Sequence, residues 1–345
     1  MRSRWTEAFQ IAAVYVGTVV GAGFATGKEI VEFFSKYGFL GVISILIAGL
    51  LFIKLGTKLM LLSANIGARS YEELNAYLFG KKAAVFINLL FFIMLLGVTS
   101  VMLSGAGAVF EEQLGISKLK GVLLTVVLSL FILTKGIKGL FAVNSFVVPI
   151  MIFFSVIMCM LSITHSQFFT SFLHIPENIS HWKFVLTPFS YAAFNLALAQ
   201  AVLVPVAYNV KNEGVIRYGG ILGGTLLALI LLCSHAALVN LPNFSEFNIP
   251  TAEIMKKLAP QFYWIYVFII YGEIFTSIIG NAFGLEKQAS TYITVKPLII
   301  FVSIFIIAIV ISRIQYGVLL SILYPLFGYI SLLFLFLLYW KSRNR

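Results

Sequence analysis

A small group of polar residues inside the apolar stretch 261–281 could bind a cation or carry a proton. They recur at i, i+3, i+4 and i+7, so a helix would place them on one face. The group consists of Glu273, Thr276, Ser277 and Gly280. An ionised carboxylate inside a bilayer costs at least about 2.5–3.5 kcal/mol unless it is paired or hydrated, and hydroxyl oxygens are ligands for hard cations. Three interpretations stay open: a protonated structural glutamate, a proton carrier, or a carboxylate near a cation that Thr276 and Ser277 bind.

The second candidate is the glycine-rich stretch 16–27, in the first apolar segment. It contains Gly17, Gly21, Gly23 and Gly27, and each glycine costs about 1 kcal/mol in a helix relative to alanine. Irregular backbone in a bilayer is tolerated only where it is buried in protein or lines a wet cavity. Close helix packing through small residues is the alternative, but the glycine density exceeds what one packing face requires. The stretch therefore predicts a helix break whose backbone groups face a ligand.

The third candidate opens the second half of the chain, between Pro188 and Pro205. Asn195 and Gln200 fall at mid-depth of this apolar segment, and Pro205 removes one backbone donor. A proline-kinked helix with satisfied amides is the simpler explanation. Interrupted helices at corresponding positions of two halves, however, indicate a transporter binding site. Because both candidates are the first helix of their half, the sequence predicts that two broken helices face each other.

The elements that must position these residues are membrane-spanning helices. Of the 345 residues, 60% are hydrophobic and only 11% are charged, against roughly 25% charged in soluble domains. A soluble core of this size could not bury so much apolar surface, which excludes a soluble enzyme, a nucleic-acid-binding domain and a disordered protein. At roughly 20 residues per span, about ten transmembrane helices are expected. The predicted spans are 9–34, 39–62, 83–110, 119–133, 139–163, 186–209, 215–239, 261–281, 297–312 and 316–340.

The positive residues predict the orientation of these spans. With the N-terminus inside, about two-thirds of the 24 Lys and Arg residues fall on the cytoplasmic side, so both termini are expected there. Ten spans divide into a first repeat of residues 1–163, an outer connecting loop of 164–185 and a second repeat of 186–345. Each repeat has five spans, an odd number, so the second repeat must cross the membrane in the opposite direction to the first, as an inverted repeat requires.

Three further segments are expected at the membrane surfaces. Lys28, Glu29 and Glu32 follow the glycines at helical spacing and predict a solvated outer turn, with an outer gate as the alternative. Residues 70–73 fit a capping box and predict a short inner helix. Residues 250–260, bracketed by prolines, predict a short outer helix. Either short helix would be an interfacial cap or a gate.

The stretch 13–34, AVYVGTVVGAGFATGKEIVEFF, resembles the start of the YkvI-like bacterial membrane proteins. These are grouped as amino-acid permeases with the amino acid–polyamine–organocation superfamily, and the length and span count also agree. The resemblance implies an all-α integral membrane protein with the LeuT-like fold. In that fold ten helices form a five-plus-five inverted repeat, and helices one and six are broken at the substrate.

The resemblance also implies which residues bind. Those opposed across the substrate would be Gly21, Ala22, Gly23, Phe194, Asn195 and Leu196, and those around a cation would be Gly17, Val20, Thr276 and Ser277. Some proton-coupled relatives place a lysine of helix five at the cation site, and span five has none in its interior. Glu273 departs from the simplest sodium pattern, so Na⁺ and H⁺ both stay open as the coupling ion.

These observations predict a cation-coupled symporter of an amino acid or related small organic solute in the bacterial cell membrane. The alternative is a solute receptor on a permease scaffold that does not transport. A channel is disfavoured because no ring of charge or repeated filter motif occurs. HExxH, GxSxG and CxxC are missing from the sequence, so no enzymatic activity is expected and no cofactor beyond Na⁺ or H⁺. The expected partners are the substrate and the lipid bilayer, without nucleic acid; the substrate's identity and the oligomeric state stay open.

Overall fold

The protein is a bundle of α-helices in this computed structural model, which describes residues 4–177, 181–210, 212–244, 247, 249–314 and 316–343. No β-strand occurs within those ranges. The helices are α1 Arg4–Val19, α2 Ala22–Ala25, α3 Lys28–Phe33, α4 Phe39–Leu51, α5 Thr57–Ile66, α6 Tyr71–Phe79, α7 Lys81–Leu114, α8 Lys118–Leu133, α9 Ile137–Ile163, α10 Phe168–Leu173, α11 His181–Val210, α12 Glu213–Leu238, α13 Pro250–Leu258, α14 Tyr263–Ala289, α15 Pro297–Ile311 and α16 Tyr316–Arg343.

Six helical stretches within the described ranges are long and apolar enough to cross a membrane. They are Phe39–Ile66, Lys81–Leu114, Ile137–Ile163, Lys183–Val210, Glu213–Leu238 and Pro260–Ala289. The other four predicted spans fall on the interrupted α1–α3 segment and on α8, α15 and α16. Each predicted span therefore coincides with helix. The total of ten crossings, the inverted repeat and its division at residues 164–185 stay predictions.

The distribution of side chains is that of a protein surrounded by lipid. Large apolar side chains such as Phe86, Phe131 and Phe268 are exposed on the outside of the bundle. Polar side chains such as Gln200 and Asn144 are buried inside it. In a bilayer this arrangement hides polar groups from hydrocarbon, so the bundle interior is where a polar site is expected.

The predicted break in helix one is confirmed. Helix α1 ends at Val19, and α2 begins only at Ala22. A second interruption follows at Gly27, whose φ of 81° lies in the left-handed region that favours glycine. The chain then resumes as α3. The glycines thus divide the first span into one long helix and two short ones.

The predicted break in helix six is wrong. Helix α11 is continuous from His181 to Val210 and contains both Pro188 and Pro205. Each proline removes one backbone hydrogen bond, and neighbouring helices allow such a loss inside a membrane protein. The Asn195 Nδ2 atom donates to the Tyr191 carbonyl at 3.1 Å within the same helix. The amide therefore supports the helix locally instead of marking its interruption.

The second span contains a π-helical turn, Phe52–Gly56, which the sequence analysis did not predict. The Tyr15 hydroxyl donates to the Phe52 carbonyl at 2.9 Å, and a methyl group on Gly56 would overlap that hydroxyl. On the other side, a methyl group on Gly224 of α12 would lie only 2.6 Å from the Ile53 nitrogen. The widened turn therefore packs closely between α1 and α12, and small residues permit the approach.

Loop contacts agree with the predicted assignment of loops to two sides of the membrane. Pairs on the predicted inner side include Trp5 with Tyr218, Arg69 with Tyr208, and Lys341 with Tyr77. Pairs on the predicted outer side include Lys28 with Phe247, Phe39 with His174, and Tyr37 with Phe184. Each of these pairs joins residues that were predicted on the same side. Which side faces the cytoplasm stays a prediction from the positive residues.

Candidate functional site at the break in helix one

A cavity of about 20 Å³ lies beside the break between α1 and α2. It is lined by Thr18, Val19, Gly21, Glu29, Val98, Met102, Phe194, Asn195, Leu198, Ser277, Asn281 and Tyr324. A volume of roughly 10–15 Å³ on this measure already admits one water molecule. In this conformation the cavity therefore has room for one small chemical group, and a whole substrate would require its walls to move apart.

The three residues predicted from helix one differ in their position relative to this cavity. Gly21 lines the cavity, whereas Gly23 is buried and does not line it. The Ala22 side chain lies outside the described residues, although its backbone begins α2. A methyl group on Gly21 would lie 2.5 Å from the Met102 Cε atom and 3.4 Å from the Ser277 Oγ atom. Glycine at this position thus lets Met102, a flexible side chain, fill the space beside the backbone.

The residues predicted from helix six are separated by the helical periodicity of α11. Phe194 and Asn195 line the cavity together with Leu198, which was not predicted. Leu196 is fully buried but does not line it. At 100° per residue, Leu196 points well away from the face that Phe194, Asn195 and Leu198 share. The prediction for Leu196 depended on an unwound segment, and α11 is continuous there.

The four residues predicted to bind a cation lie together. The Ser277 Oγ atom is 2.6 Å from the Val20 carbonyl oxygen and 3.4 Å from that of Gly17. The Thr276 Oγ1 atom is 3.3 Å from the Gly17 carbonyl oxygen and 2.8 Å from that of Glu273. Both hydroxyls are buried. Two hydroxyls of α14 therefore meet backbone carbonyls at the end of α1.

Asn144 of α9 is a further polar residue at this cluster, and the sequence analysis did not single it out. A methyl group on Gly17 would overlap the Asn144 Oδ1 atom, so glycine is required for this contact. The Asn144 Nδ2 atom donates to the Leu140 carbonyl at 2.9 Å. The Oδ1 atom is buried and has no hydrogen-bond donor. An unsatisfied buried acceptor is costly, and here it lies directly against the helix that supplies two carbonyls to the cluster.

Glu273 lies one turn before these hydroxyls on α14. Its side chain is buried, and neither carboxyl oxygen has a hydrogen-bond partner. Glu273 does not line the central cavity. Further along the same face, a methyl group on Gly280 would lie 3.5 Å from Val202 and 3.8 Å from Thr18. The predicted polar face of α14 is therefore turned toward α1 and α11.

Glu29 is a site residue that the sequence analysis placed wrongly. It was expected on a solvated turn with Lys28 and Glu32, yet only 2% of its surface is exposed and it lines the cavity. Its carboxyl group faces the Tyr191 hydroxyl and the Asn195 amide, while its Oε1 atom has no hydrogen-bond partner. One signal was available. On a helix Glu29 is a neighbour of the apolar Phe33, four residues on, as well as of Glu32, three residues on.

A vestibule of about 250 Å³ lies on the predicted outer side of this cavity. Its walls include Phe33, Glu32 and Lys36, and the last two form an ion pair. The Phe33 ring also contacts the Tyr191 ring, with centroids 5.1 Å apart, and the Tyr191 hydroxyl faces Glu29. The Phe33–Tyr191 pair therefore lies between the vestibule and the cavity.

The outer helix α13 is attached to the break itself. The Thr251 N–H donates to the Thr26 carbonyl at 3.1 Å, and the Thr251 Oγ1 atom donates to the Ala25 carbonyl at 2.8 Å. A methyl group on Gly27 would lie 2.7 Å from the Thr251 side chain. Carbonyls left without a partner where a helix ends need an outside donor. Thr251 supplies two donors, so α13 and the broken segment are joined.

This helical membrane bundle, with a broken first helix and a buried cluster of oxygens beside it, has a LeuT-like fold, as its similarity to a solved structure shows. The structure of Mhp1, a nucleobase-cation-symport-1 family transporter in a closed conformation with bromovinylhydantoin bound, matches with a TM-score of 0.65 at 14% identity, over 92% of this chain and 74% of that one. The manganese transporter of Eremococcus coleocola matches with a TM-score of 0.60 at 15% identity, over 97% and 76% of the two chains.

The sequence relatives identify the family. The membrane protein YkvI of Bacillus subtilis is 49% identical over 341 residues, which cover 98% of this chain and 97% of that protein. The chain therefore belongs to the YkvI family. The Bacillus subtilis protein YyaD is 21% identical over 333 residues, 95% of each chain. No protein-family model matches the sequence.

Proposed function

We propose that the protein is a secondary active transporter that moves an amino acid or related small organic solute together with a cation. The observation that carries this proposal is the contact between the Thr276 and Ser277 hydroxyls and the Gly17 and Val20 carbonyls. Ser277 also lines the central cavity. A cation held at this cluster would draw α14 and the end of α1 together, and it would thereby stabilise the walls around the substrate.

The chemistry of the cluster suits a monovalent cation such as Na⁺. Hydroxyl and carbonyl oxygens are hard, neutral ligands. Oxygens at about 2.4 Å from a cation in octahedral geometry are separated by about 3.4 Å, close to the 3.3 and 3.4 Å that separate the hydroxyls from the Gly17 carbonyl. The Ser277 Oγ atom lies at hydrogen-bond distance from the Val20 carbonyl, 2.6 Å, so this hydroxyl would turn away from Val20 when a cation binds. We include Asn144 as a further ligand, because its Oδ1 atom is buried against Gly17 without a donor.

Proton coupling through Glu273 is a second candidate for the driving ion. Its two carboxyl oxygens are buried without hydrogen-bond partners, and the Thr276 hydroxyl donates to its backbone carbonyl. A proton on this carboxyl group would remove the cost of a buried charge. The two mechanisms would use adjacent turns of α14. Sodium coupling would require the Thr276 and Ser277 hydroxyls, whereas proton coupling would require the Glu273 carboxyl group.

We place the transporter in the bacterial cell membrane with both termini in the cytoplasm, because the predicted inner loops carry most of the positive residues. In this orientation the vestibule at Glu32 and Lys36 opens to the outside. Solute would enter from the vestibule when Phe33 and Tyr191 move apart, and rocking of the bundle would open the inner side.

The test is uptake into liposomes that contain the purified protein. Radiolabelled amino acids would be offered one at a time with an inward sodium gradient, an inward proton gradient, or neither. Accumulation above the equilibrium level that requires one gradient supports coupled transport and identifies the ion. Binding of a solute in detergent without accumulation under any gradient would contradict the proposal and support a solute receptor.

A further inference from the structure

We infer that Glu29 binds the ammonium group of the transported solute in the central cavity. This inference rests on the proposed function and deepens it, because it names the charged group by which the same cavity holds its substrate. It also narrows the substrate class to compounds with a protonated amine, such as amino acids and small organic amines.

The charge of the cavity is unbalanced. Glu29 is the acidic residue that lines it, and no Lys or Arg is among the described residues of its wall. The neighbouring Lys28 extends elsewhere, with its Nζ atom donating to the Phe247 carbonyl at 3.0 Å. A buried carboxylate without a cationic partner is strongly disfavoured. A ligand that brings a positive charge would remove that cost, so the cavity selects for one.

The groups around the carboxylate also suit an ammonium ion. An ammonium group has three hydrogens to donate and accepts none. The Glu29 Oε1 atom has no hydrogen-bond partner, and Asn195 and Asn281, whose side-chain amides each carry one acceptor oxygen, line the same cavity. The Phe194 and Tyr324 rings lie in its wall with their centroids 4.7 Å apart, and aromatic faces attract cations. The cavity thus combines one anionic acceptor, neutral acceptors and an aromatic wall.

The size and donor set disfavour a divalent metal ion as the occupant. Divalent cations such as Mn²⁺ and Ca²⁺ are bound through several carboxylate or imidazole ligands. No group of three or more His, Cys, Asp or Glu side chains that could hold a metal occurs among the described residues. A volume of about 20 Å³ admits a single small head group. A primary ammonium group is small enough for this volume and needs only one carboxylate.

The test compares the full-length wild-type protein with Glu29→Gln and Glu32→Gln by thermal unfolding in detergent. Gln has the shape of Glu without its charge, so we expect Glu29→Gln to fold. Glu32 lies on the same short helix, is partly exposed and pairs with Lys36, which makes Glu32→Gln the matched control. The probes are methylammonium, the twenty standard amino acids and their N-acetyl derivatives, with uracil and MnCl₂ as compounds of other classes.

We expect at least one free amine to raise the unfolding temperature of the wild type and of Glu32→Gln, by mass action on the folded state. Its N-acetyl derivative should have no effect. In Glu29→Gln the affinity for that amine should fall about 10- to 150-fold, the range for one hydrogen bond to a charged group.

Three results would overturn the inference: an unchanged affinity in Glu29→Gln, equal stabilisation by the N-acetyl derivative, or stabilisation only by uracil, by MnCl₂ or by nothing in the panel. Liposome uptake separates this result from the proposed function. Amine binding through Glu29 without uptake would contradict transport and leave the role of Glu29 in binding an amine standing. Coupled uptake of a solute that has no amine would support transport and contradict the inference.

Discussion

The Ser277 hydroxyl donates to the Val20 carbonyl at 2.6 Å, although 257 positions separate the two residues in the chain. Val20 is the first residue after α1 ends, and Ser277 lies on the predicted polar face of α14. The contact therefore connects the break in helix one to the helix that carries the candidate cation ligands. A change in either the break or the hydroxyls is expected to affect both.

Removing the two hydroxyls is expected to abolish the response to sodium. In Thr276→Ala/Ser277→Ala the Gly17 and Val20 carbonyls keep their positions, but the cation site loses two of its oxygen ligands, the two hydroxyls. Sodium affinity should fall about tenfold or more, measured as the NaCl dependence of the unfolding temperature and of uptake. Thr225→Ala is the control, because its exposed hydroxyl donates within α12. A double variant that still responds to NaCl like the wild type would contradict the site.

The contact between Gly17 and Asn144 predicts a specific double-mutant result. Gly17→Ala should destabilise the protein by about 1–3 kcal/mol, because the added methyl group overlaps Asn144. Adding Asn144→Ala removes the overlap but leaves a contact of 3.1 Å with Val148. It should therefore restore most of the unfolding temperature without restoring the response to NaCl. Asn144→Ala alone should weaken that response while Thr276 and Ser277 are intact. An undiminished sodium response in Asn144→Ala would exclude it as a ligand.

The attachment of α13 to the break predicts a local change in protection from hydrogen exchange. Thr251→Val removes the hydroxyl donor to the Ala25 carbonyl but keeps the backbone N–H that donates to Thr26. The loss should cost about 1 kcal/mol and increase amide exchange in residues 22–28, measured by mass spectrometry. Thr225→Val, on the exposed face of α12, should leave that segment unchanged. Equal exchange in both variants would show that the Thr251 hydroxyl does not stabilise the break.

The junction between α6 and the end of α14 predicts a pH dependence at high pH. The Glu72 carboxylate accepts hydrogen bonds from the Tyr292 and Thr291 hydroxyls. The bond to Glu72 raises the pKa of Tyr292 from 10.0 to about 12. Since the pKa in the folded state is the higher one, the bond contributes fully below pH 10 and is lost as the pH rises toward 12. Tyr292 is largely exposed, so the contribution is small.

The measurement is the unfolding temperature against pH, together with tyrosinate absorbance. Tyr292→Phe should unfold at a slightly lower temperature than the wild type below pH 10, and the difference should vanish near pH 12. Tyr218→Phe removes another exposed tyrosine, at the start of α12, and serves as the control. A difference between Tyr292→Phe and the wild type that persists unchanged to pH 12 would contradict the role of Glu72.

The sequence by itself determined the all-helical membrane bundle, the positions of the helices and the break in helix one. These properties follow from local composition: a long apolar run must satisfy its backbone internally, and the glycines from Gly17 to Gly27 weaken one helix locally. The residues placed at the cation cluster by resemblance, Val20, Thr276 and Ser277 among them, also lie together.

The tertiary structure alone decided which polar groups face the cavity. Helix α11 stays continuous through Asn195 despite its two prolines, because packing against neighbouring helices outweighs the local loss of backbone donors. Glu29 is buried against Tyr191 and Asn195 instead of solvated, and Asn144 reaches Gly17 from another helix. Such contacts join residues more than a hundred positions apart. They depend on how the helices are rotated against one another, which the periodicity of a single segment does not specify.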